Sequence, residues 1–424
     1  MNLLLQSSST QHPASIKITG SKSETNRLLL LQALYPNLVL ENTSNSDDSE
    51  VMLKALQNSQ LATHNSQLID VHHAGTAMRF LTAFFAIQEG KDLSDVAEVV
   101  LTGSGRMKER PIKILVDALI QLGAEITFEE NEGFPPIRIK GKKITQNKVS
   151  LPANVSSQYI SALLLIAPKL EKGLELTLEG EITSIPYIKM TLALLNEIGV
   201  ETSFENNKIK VTHHPSSIIH IPITVESDWS SASYWYSIVA LSEIGFQVTL
   251  SSYKKNSLQG DCALIEIYKD FGVETTFNND NSITISKERI HNSQLKTHNS
   301  QLNNSPDIAQ TIAVTCFGLG MECDLYGLHT LKIKETDRLE ALKIELTKLG
   351  AVVVVTNESL HLKPSTSINE NIAIKTYQDH RMAMAFAPLA LKTSIIIKDT
   401  EVVSKSYPDF WKDVESVGVK MKTV

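Results

Sequence analysis

Two kinds of helical segment alternate along the chain and predict its architecture. The first kind is amphipathic, ends in a glycine and is followed by a strand-like run, as in LVDALIQLGAEITF and LKIELTKLGAVVVV. A glycine directly after a helix is the expected stop, because it adopts the left-handed conformation cheaply. The segment EVMLKALQNSQL is a degenerate first copy without the glycine. The glycines of the other copies are Gly123, Gly199, Gly272, Gly350 and Gly418.

The second kind of segment has a small or polar start followed by a nearly continuous apolar run, which is typical of a helix buried on most sides. Short β-patterned stretches such as IKVT, FQVTL and SIIIKD lie between the helices. The regular recurrence predicts an α/β protein of six βαβαββ-like units. The six apolar segments are SETNRLLLLQAL, AGTAMRFLTAFFAI, SSQYISALLLIA, SSASYWYSIVAL, PDIAQTIAVTCFGL and DHRMAMAFAPLAL.

Composition narrows the class of protein. The chain has 424 residues with a formal net charge of -7, which predicts two or three domains and gives no indication of a nucleic-acid or membrane partner. Its three cysteines are scattered without a CxxC motif, which fits a reducing compartment. No signal peptide or membrane span is expected, so the predicted location is cytoplasmic. The paired histidines at 72–73 and 213–214 lack metal-ligand spacing, so we expect no metal.

The pentapeptide HNSQL occurs at 64–68, 291–295 and 298–302. It is polar and has no helical periodicity, so we predict a surface loop at each copy. A tolerated insertion is the simplest interpretation, since surface loops accept extra residues readily.

Cationic residues stand at the starts of several predicted helices. In ITGSKSETNR, a Gly-Ser turn opens the first buried helix, Ser23 can cap it, and Arg27 lies one turn further on. Backbone N–H groups and the positive end of the helix dipole suit a phosphate there. On this local pattern alone, an ordinary capped helix with surface cations is the simpler interpretation.

Further motifs follow the same scheme, and each is weak by itself. They are HHAGTAMR, LTGSGRMKERP, SSQ at 156–158, LKIKETDRLEAL and DHRMAM. Acidic residues in a first helical turn are normal dipole partners, so Glu335 has a purely structural interpretation. Asp307 is likewise a plausible N-cap of the fifth buried helix.

Taken together and in order, the motifs resemble those of the EPSP synthase family from residue 20 to residue 411. They are GSKSETNR, AGTAMR, GRMKERP, SSQ, IKETDR, DHRMAM and SKSYPDFW. The resemblance implies two similar domains, each with three of the repeats and buried parallel helices, and an active site in the interdomain cleft. It places one lobe at 20–227 and the other at 1–19 plus 228–424.

The resemblance also implies the reaction, which is transfer of the enolpyruvyl group of phosphoenolpyruvate to the 5-hydroxyl of shikimate 3-phosphate. Both substrates are small molecules, no cofactor is expected, and the protein is expected to be a monomer. Asp307 is the implied base at the 5-hydroxyl, and Glu335 with Lys22 is assigned to proton transfer at C3. Arginine forks suit phosphate and carboxylate, while lysine supplies a point charge.

The implied contacts of shikimate 3-phosphate are Lys22, Ser23, Arg27, Ser156, Ser157, Gln158, Ser184, Asp307 and Lys334. Those of phosphoenolpyruvate are Lys22, Gly75, Arg106, Gln158, Arg338, Arg381 and Lys405. His73 and Thr330 stand where many family members have asparagine, so no role is assigned to either.

Two alternatives remain at this stage. Enolpyruvyl transferases that act on UDP-N-acetylglucosamine usually carry a cysteine in a mobile loop, and the matching stretch here, LTGSGRMKERP, has none. A non-catalytic binder of phosphorylated metabolites is the other alternative. The presence of Asp307, Glu335, Lys22 and Lys405 argues against it.

Overall fold

The structure is a computed structural model that describes residues 1–8, 12–59, 67–89, 98–154, 156–180, 182, 185–214, 222–289 and 297–424. The chain divides into two compact units. We call residues Met1–Gly20 with Glu226–Val424 the terminal unit, and Ser21–Val225 the inserted unit.

These bounds differ at their edges from the expected lobes. Gly20 belongs to the terminal unit because it forms an isolated antiparallel bridge with Ser227. Glu226 also belongs there, because its carboxylate accepts a hydrogen bond of 2.8 Å from Nε1 of Trp229.

The described residues form the following secondary structure. The strands are β1 (Leu3–Ser7), β2 (Ala14–Ile16), β3 (Val39–Glu41), β4 (Gln67–Asp70), β5 (Glu98–Thr102), β6 (Glu125–Phe128), β7 (Ile137–Lys140), β8 (Lys148–Pro152), β9 (Leu174–Glu179), β10 (Thr202–Glu205), β11 (Lys208–Val211), β12 (Pro222–Thr224), β13 (Gln247–Leu250), β14 (Val273–Phe277), β15 (Ile283–Lys287), β16 (Thr297–Gln301), β17 (Glu322–Tyr326), β18 (Val353–Val355), β19 (Ser359–Leu362), β20 (Ile372–Ile374), β21 (Ile395–Ile397) and β22 (Val419–Thr423). The α-helices are α1 (Lys22–Leu34), α2 (Asp47–Ser59), α3 (Gly75–Ala86), α4 (Gly105–Lys108), α5 (Lys113–Leu122), α6 (Ser157–Ile166), α7 (Ile185–Glu197), α8 (Trp229–Leu241), α9 (Leu264–Ile267), α10 (Ala309–Gly318), α11 (Arg338–Lys348), α12 (His380–Phe386) and α13 (Phe410–Ser416). Short 3₁₀ turns are Ala167–Lys169, Gly260–Ala263, Tyr268–Phe271, Pro306–Ile308, His329–Ile333, Ala387–Leu391 and Thr400–Lys405.

The predicted βαβαββ unit is confirmed in the inserted unit. Strands β4 to β7, with α3 and α5, form a sheet of order β4-β5-β7-β6. In this sheet β4 and β5 are parallel, whereas β7 is antiparallel to both β5 and β6. Strands β8 to β11, with α6 and α7, repeat the arrangement in the order β8-β9-β11-β10. The third, degenerate copy comprises α1, α2 and the parallel pair β12–β3.

The terminal unit contains three four-stranded sheets, and its N-terminal residues complete two of them. Strands β16 to β19 form one repeat in the order β16-β17-β19-β18. Strand β2 joins the second sheet beside β13, in the order β14-β15-β13-β2, and β1 lies between β21 and β22 in the third. The N-terminal strands β1 and β2 therefore fold with the C-terminal half of the chain, since they pair with strands of these two sheets.

The apolar helices form the core of each unit, as their sequence predicts. All residues of α3 and of α8 are buried. The glycine stops are confirmed at α5, where Gly123 has φ 107° and ends the helix in the left-handed conformation. Among the described residues, no helix combines the length and hydropathy that a membrane span requires.

The loop prediction is wrong for the HNSQL residues that the structure describes. Gln67 and Leu68 begin β4, and residues 298–301 of another copy lie in β16, with Leu302 directly after the strand. The copy at 291–295 lies outside the described residues. Parallel pairing with β5 and with β17 supplies the backbone hydrogen bonds that local sequence did not predict. The leucines that end the two copies differ sharply in burial. Leu68 is 69% exposed, whereas Leu302 is only 1% exposed.

This difference predicts unequal effects of one substitution in two identical pentapeptides. Leu302→Ala should lower the free energy of unfolding by about 2–4 kcal/mol, because it leaves a cavity in the core. Leu68→Ala should change it by less than about 0.5 kcal/mol, because the side chain is already in water. Urea denaturation followed by far-UV circular dichroism measures both. Equal losses in the two variants would contradict the burial described here.

Candidate active site

The structure gathers most of the predicted site residues into two groups, one in each unit. In the inserted unit the group lies at the starts of three packed helices, α1, α3 and α6. Lys22 and Gly75 are the first residues of α1 and α3, and Ser156 is the N-cap of α6. The side chain of Gln158 links two of the helices by donating a hydrogen bond of 3.0 Å to Oγ1 of Thr76.

Arg27 is the most buried cation of this group, with an exposed fraction of 2%. Its guanidinium donates to Oγ1 of Thr191 at 2.8 Å, to the carbonyl of Ser23 at 2.7 Å and to Oγ of Ser161 at 3.0 Å. Burial lowers the pKa of Arg27 to about 10. Because these acceptors are neutral, the hydrogen bonds hold the cation in place without neutralising its charge.

The capping role predicted for Ser23 is wrong. The helix begins at Lys22, so the N-cap position is held by Ser21, two residues before Ser23, and Ser23 lies in the first turn. Lys22 forms an ion pair of 3.1 Å with Asp48 of α2, a partner that the sequence analysis missed. The run DDSE at the start of α2 is an ordinary first-turn acidic pattern, which gives no indication of this pairing.

The other predicted residues of the inserted unit differ in their burial and in their partners. Ser157 is buried and Ser156 is exposed, while Ser184 lies outside the described residues. Arg106 points to the surface in an ion pair of 2.8 Å with Glu109 and does not join the group. The guanidinium of Arg110 instead lies beside Gly75 at the start of α3. A Cβ added to Gly75 would be only 2.5 Å from Nη1 of Arg110, so the arginine occupies the space that the glycine leaves open.

In the terminal unit, Arg338 is the centre of the second group. This guanidinium is 2% exposed and binds three carboxylates. It donates to Asp307 at 2.8 Å, to Glu335 at 2.7 Å and to Asp379 at 2.7 Å. Asp379 also caps α12, since its Oδ1 accepts from the backbone nitrogen of Arg381 at 2.9 Å. Asp379 therefore belongs to this group, although the sequence analysis included it only as the first residue of the DHRMAM motif.

Asp307 does not act as the N-cap of the fifth buried helix. It lies in the 3₁₀ turn before α10, and its carboxylate is also close to Lys334 Nζ at 3.4 Å and Arg381 Nη2 at 3.3 Å. Burial by itself would raise the pKa of Asp307. The charges of Arg381, Lys334 and Arg338 outweigh it and hold that pKa far below its ordinary value.

The remaining predicted residues lie near this group or carry no assigned role. Lys405 donates to the carbonyl of Gln378 at 2.7 Å, next to Asp379 in the chain. His73 forms a hydrogen bond of 3.0 Å with Ser104, and Thr330 lies in the 3₁₀ turn that precedes Lys334.

Comparison with solved structures first shows the class of fold. The EPSP synthase from Acinetobacter baumannii matches with a TM-score of 0.77 at 20% identity, over 100% of both chains. The enolpyruvyl transferase NikO from Streptomyces tendae matches with a TM-score of 0.72 at 13% identity, over 99% of this chain and 98% of that one. The fold is therefore that of these enolpyruvyl transferases.

Comparison of sequences then gives the family. The family model of EPSP synthase (3-phosphoshikimate 1-carboxyvinyltransferase) matches residues 37–414. A 3-phosphoshikimate 1-carboxyvinyltransferase of Bacteroides fragilis (strain YCH46) is 43% identical over 422 residues, covering 99% of this chain and 98% of that protein. One from Haemophilus influenzae (strain ATCC 51907 / DSM 11121 / KW20 / Rd) is 37% identical over 431 residues, covering 96% of each. The chain belongs to the EPSP synthase family.

The carboxylate cluster around Arg338 predicts a large stability effect. Arg338→Met leaves Asp307, Glu335 and Asp379 without their shared cation, and we expect a loss of about 3–5 kcal/mol in the free energy of unfolding. Trp229, Trp235 and Trp411 all belong to the terminal unit, so tryptophan fluorescence during urea denaturation reports on it. Lys363→Met is the control, because that lysine pairs with Glu322 at the surface and its loss should change stability little. A similar midpoint for both variants would contradict the central role of Arg338.

Proposed function

We propose that this chain catalyses the EPSP synthase reaction, in which phosphoenolpyruvate gives its enolpyruvyl group to the 5-hydroxyl of shikimate 3-phosphate and phosphate is released. The reaction belongs to the shikimate pathway, which leads to chorismate and the aromatic amino acids. The proposal rests on family membership and on one structural observation. Asp307 and Glu335, the expected acid–base groups, are both hydrogen-bonded to the buried guanidinium of Arg338.

The charge of the substrates agrees with the cations of both groups. The two substrates bring two phosphates and a carboxylate, and guanidinium groups bind such anions with paired hydrogen bonds. In the proposed assignment, Arg27, Ser23 and Lys334 contribute to binding shikimate 3-phosphate. Phosphoenolpyruvate is assigned to Arg338, Arg381, Lys405, Lys22 and Gly75, and Gln158 is assigned to both substrates. Arg106 is left out of this assignment, since it faces the surface in an ion pair with Glu109.

Of the two arginines Arg338 and Arg381, Arg381 is the better placed to bind a substrate anion. Arg338 already donates to three carboxylates at 2.7–2.8 Å. The side-chain hydrogen bonds of Arg381 are longer, 3.2 Å to Ser230 and 3.3 Å to Asp307. Longer hydrogen bonds are weaker, so an incoming phosphate or carboxylate replaces them more easily. Arg338 in this proposal mainly holds the carboxylates in position.

Substrate binding also activates the base. With its present neighbours the pKa of Asp307 is far below its ordinary value, and such a carboxylate accepts a proton poorly. The substrate anions that bind Arg381 and Lys334 draw these cations away from Asp307 and add negative charge nearby. Both changes raise the pKa of Asp307, so the base gains strength when the substrates are present.

The bond changes then follow in two steps. Asp307 takes the proton of the 5-hydroxyl as the hydroxyl oxygen bonds to C2 of phosphoenolpyruvate. C3 gains a proton from Glu335, and Lys22 is assigned to the same proton transfer. The product of this step is a tetrahedral ketal phosphate. In the second step, a methyl proton returns from C3 to Glu335, the C2–C3 double bond forms again, and the C2–O bond to phosphate breaks so that phosphate departs. Arg338 and Arg381 stabilise the charge that develops on that phosphate.

Several finer expectations stay predictions. They are the location of the chemistry in the cleft between the lobes, the monomeric state and the cytoplasmic location. The alternative reaction with UDP-N-acetylglucosamine is not favoured, since the curated relatives are named 3-phosphoshikimate 1-carboxyvinyltransferase.

The acid–base assignment is tested by two isosteric variants. Asp307→Asn and Glu335→Gln should each lower kcat by about 100-fold or more, because each removes a proton-transfer group. Phosphate release with both substrates measures turnover, and calorimetry with shikimate 3-phosphate checks that binding is largely kept. Glu340→Gln is the control on α11, the helix that follows Glu335, since Glu340 is exposed and pairs with Lys343. Near-normal turnover in both active-site variants would refute the assignment.

A further inference from the structure

The terminal unit contains a buried carboxylate that the reaction above does not use. Asp261 lies in the 3₁₀ turn Gly260–Ala263 and is 2% exposed. Its Oδ2 accepts a hydrogen bond from Oγ of Ser230. Its Oδ1 has no hydrogen-bond partner in the part of the chain that the structure describes. Burying a carboxylate with so few partners destabilises a fold, so its presence here needs an explanation.

The explanation lies in what Ser230 contacts on its other side. Ser230 is near the start of α8, and its Oγ accepts a hydrogen bond of 3.2 Å from Nη2 of Arg381. One hydroxyl therefore donates to Asp261 and accepts from Arg381. This geometry forms a chain from the buried carboxylate through Ser230 to the arginine, and Arg381 itself is 11% exposed at its side chain.

Arg381 thus has two anchors of different kinds. One is Asp307, through its carboxylate and its backbone carbonyl, both at 3.3 Å. In the proposed function this carboxylate reacts, so its bond to Arg381 loosens when substrate binds. The other anchor is Ser230, held by the buried carboxylate of Asp261, and neither residue takes part in the proposed chemistry. That pair can hold the guanidinium while the first anchor changes.

We infer that Asp261, acting through Ser230, is a positioning residue that orients Arg381 to bind an anionic group of phosphoenolpyruvate. This inference rests on the proposed function, since it assigns that substrate to Arg381. Asp261 does not contact the substrate, because it is buried beneath the serine. Its effect is on where the guanidinium points.

The electrostatic surroundings of Asp261 agree with this role. Burial raises the pKa of Asp261 to about 7, the negative charge of Asp307 adds to the effect, and Arg381 opposes it. In either protonation state the carboxyl group keeps an oxygen that can accept from Ser230. The hydrogen-bonded chain is therefore compatible with both states.

The test compares loss and rescue of the two linking groups. Ser230→Ala and Asp261→Ala should each raise the KM for phosphoenolpyruvate by about tenfold, the usual effect of losing a hydrogen bond to a charged group. Ser230→Thr and Asp261→Asn keep the hydroxyl and the acceptor oxygen, so their KM should stay near that of the wild type. The double alanine variant should be no worse than either single one, because both break the same chain.

Further readouts separate positioning from loss of structure. Calorimetric binding of shikimate 3-phosphate should be unchanged in the alanine variants, and kcat at saturating phosphoenolpyruvate should fall much less than KM rises. Ser237→Ala is the matched control on α8, since its hydroxyl contacts Thr315 and not Arg381. If Asp261→Ala does not fold, Ser230→Ala with its threonine rescue carries the test.

The outcomes distinguish this inference from the function on which it rests. A wild-type protein that releases no phosphate from the two substrates overturns the proposed function and this inference with it. An active wild type whose KM for phosphoenolpyruvate is unchanged in both alanine variants overturns the inference alone. So does a failure of Ser230→Thr to restore the KM when the protein is folded. A selective rise in KM with rescue supports it.

Discussion

Burial of the apolar helices is the constraint on which each unit depends. A helix such as α3 or α8 is buried along its whole length, so a charged side chain on it needs a specific partner. In the inserted unit, Arg27 meets this need with three neutral acceptors and the ring of Phe80, whose centroid is 5.4 Å from the guanidinium carbon. Charges are therefore concentrated near the helix starts, where backbone N–H groups also favour anions.

The terminal unit meets the same constraint in a different way. Its buried guanidinium, Arg338, is surrounded by carboxylates rather than neutral groups. Removing one partner of a buried ion pair leaves an uncompensated charge, which makes such a cluster sensitive to any change in its members. A substrate anion is such a change. The same ion pairs that hold the free protein together can therefore respond to binding, and the altered pKa of Asp307 is the consequence most relevant to catalysis.

Asp261 extends this reasoning beyond the groups that touch substrate. Arginine has several donors in one plane, so its direction depends on which acceptors surround it. For Arg381 those acceptors are Asp307, which takes up a proton in the proposed reaction, and Ser230, which does not. Because Ser230 and Asp261 stay unchanged, they can keep the guanidinium of Arg381 in one direction whether or not Asp307 is protonated. In well-ordered sites, side chains that contact a ligand are generally held in position by further residues that do not contact it.

Sequence alone determined the repeat, because helix periodicity, glycine stops and β-patterned runs are local properties that each segment carries by itself. Its motifs also predicted most of the residues that the structure brings together in the two groups. Tertiary structure decided which partners they have. The ion pair of Lys22 with Asp48, the approach of Arg110 to Gly75 and the link from Asp261 to Arg381 join residues far apart in the chain. The HNSQL copies give the clearest case. Leu68 and Leu302 follow identical residues, yet one is exposed and the other buried, because neighbouring strands and helices, not the pentapeptide, set which side faces the core.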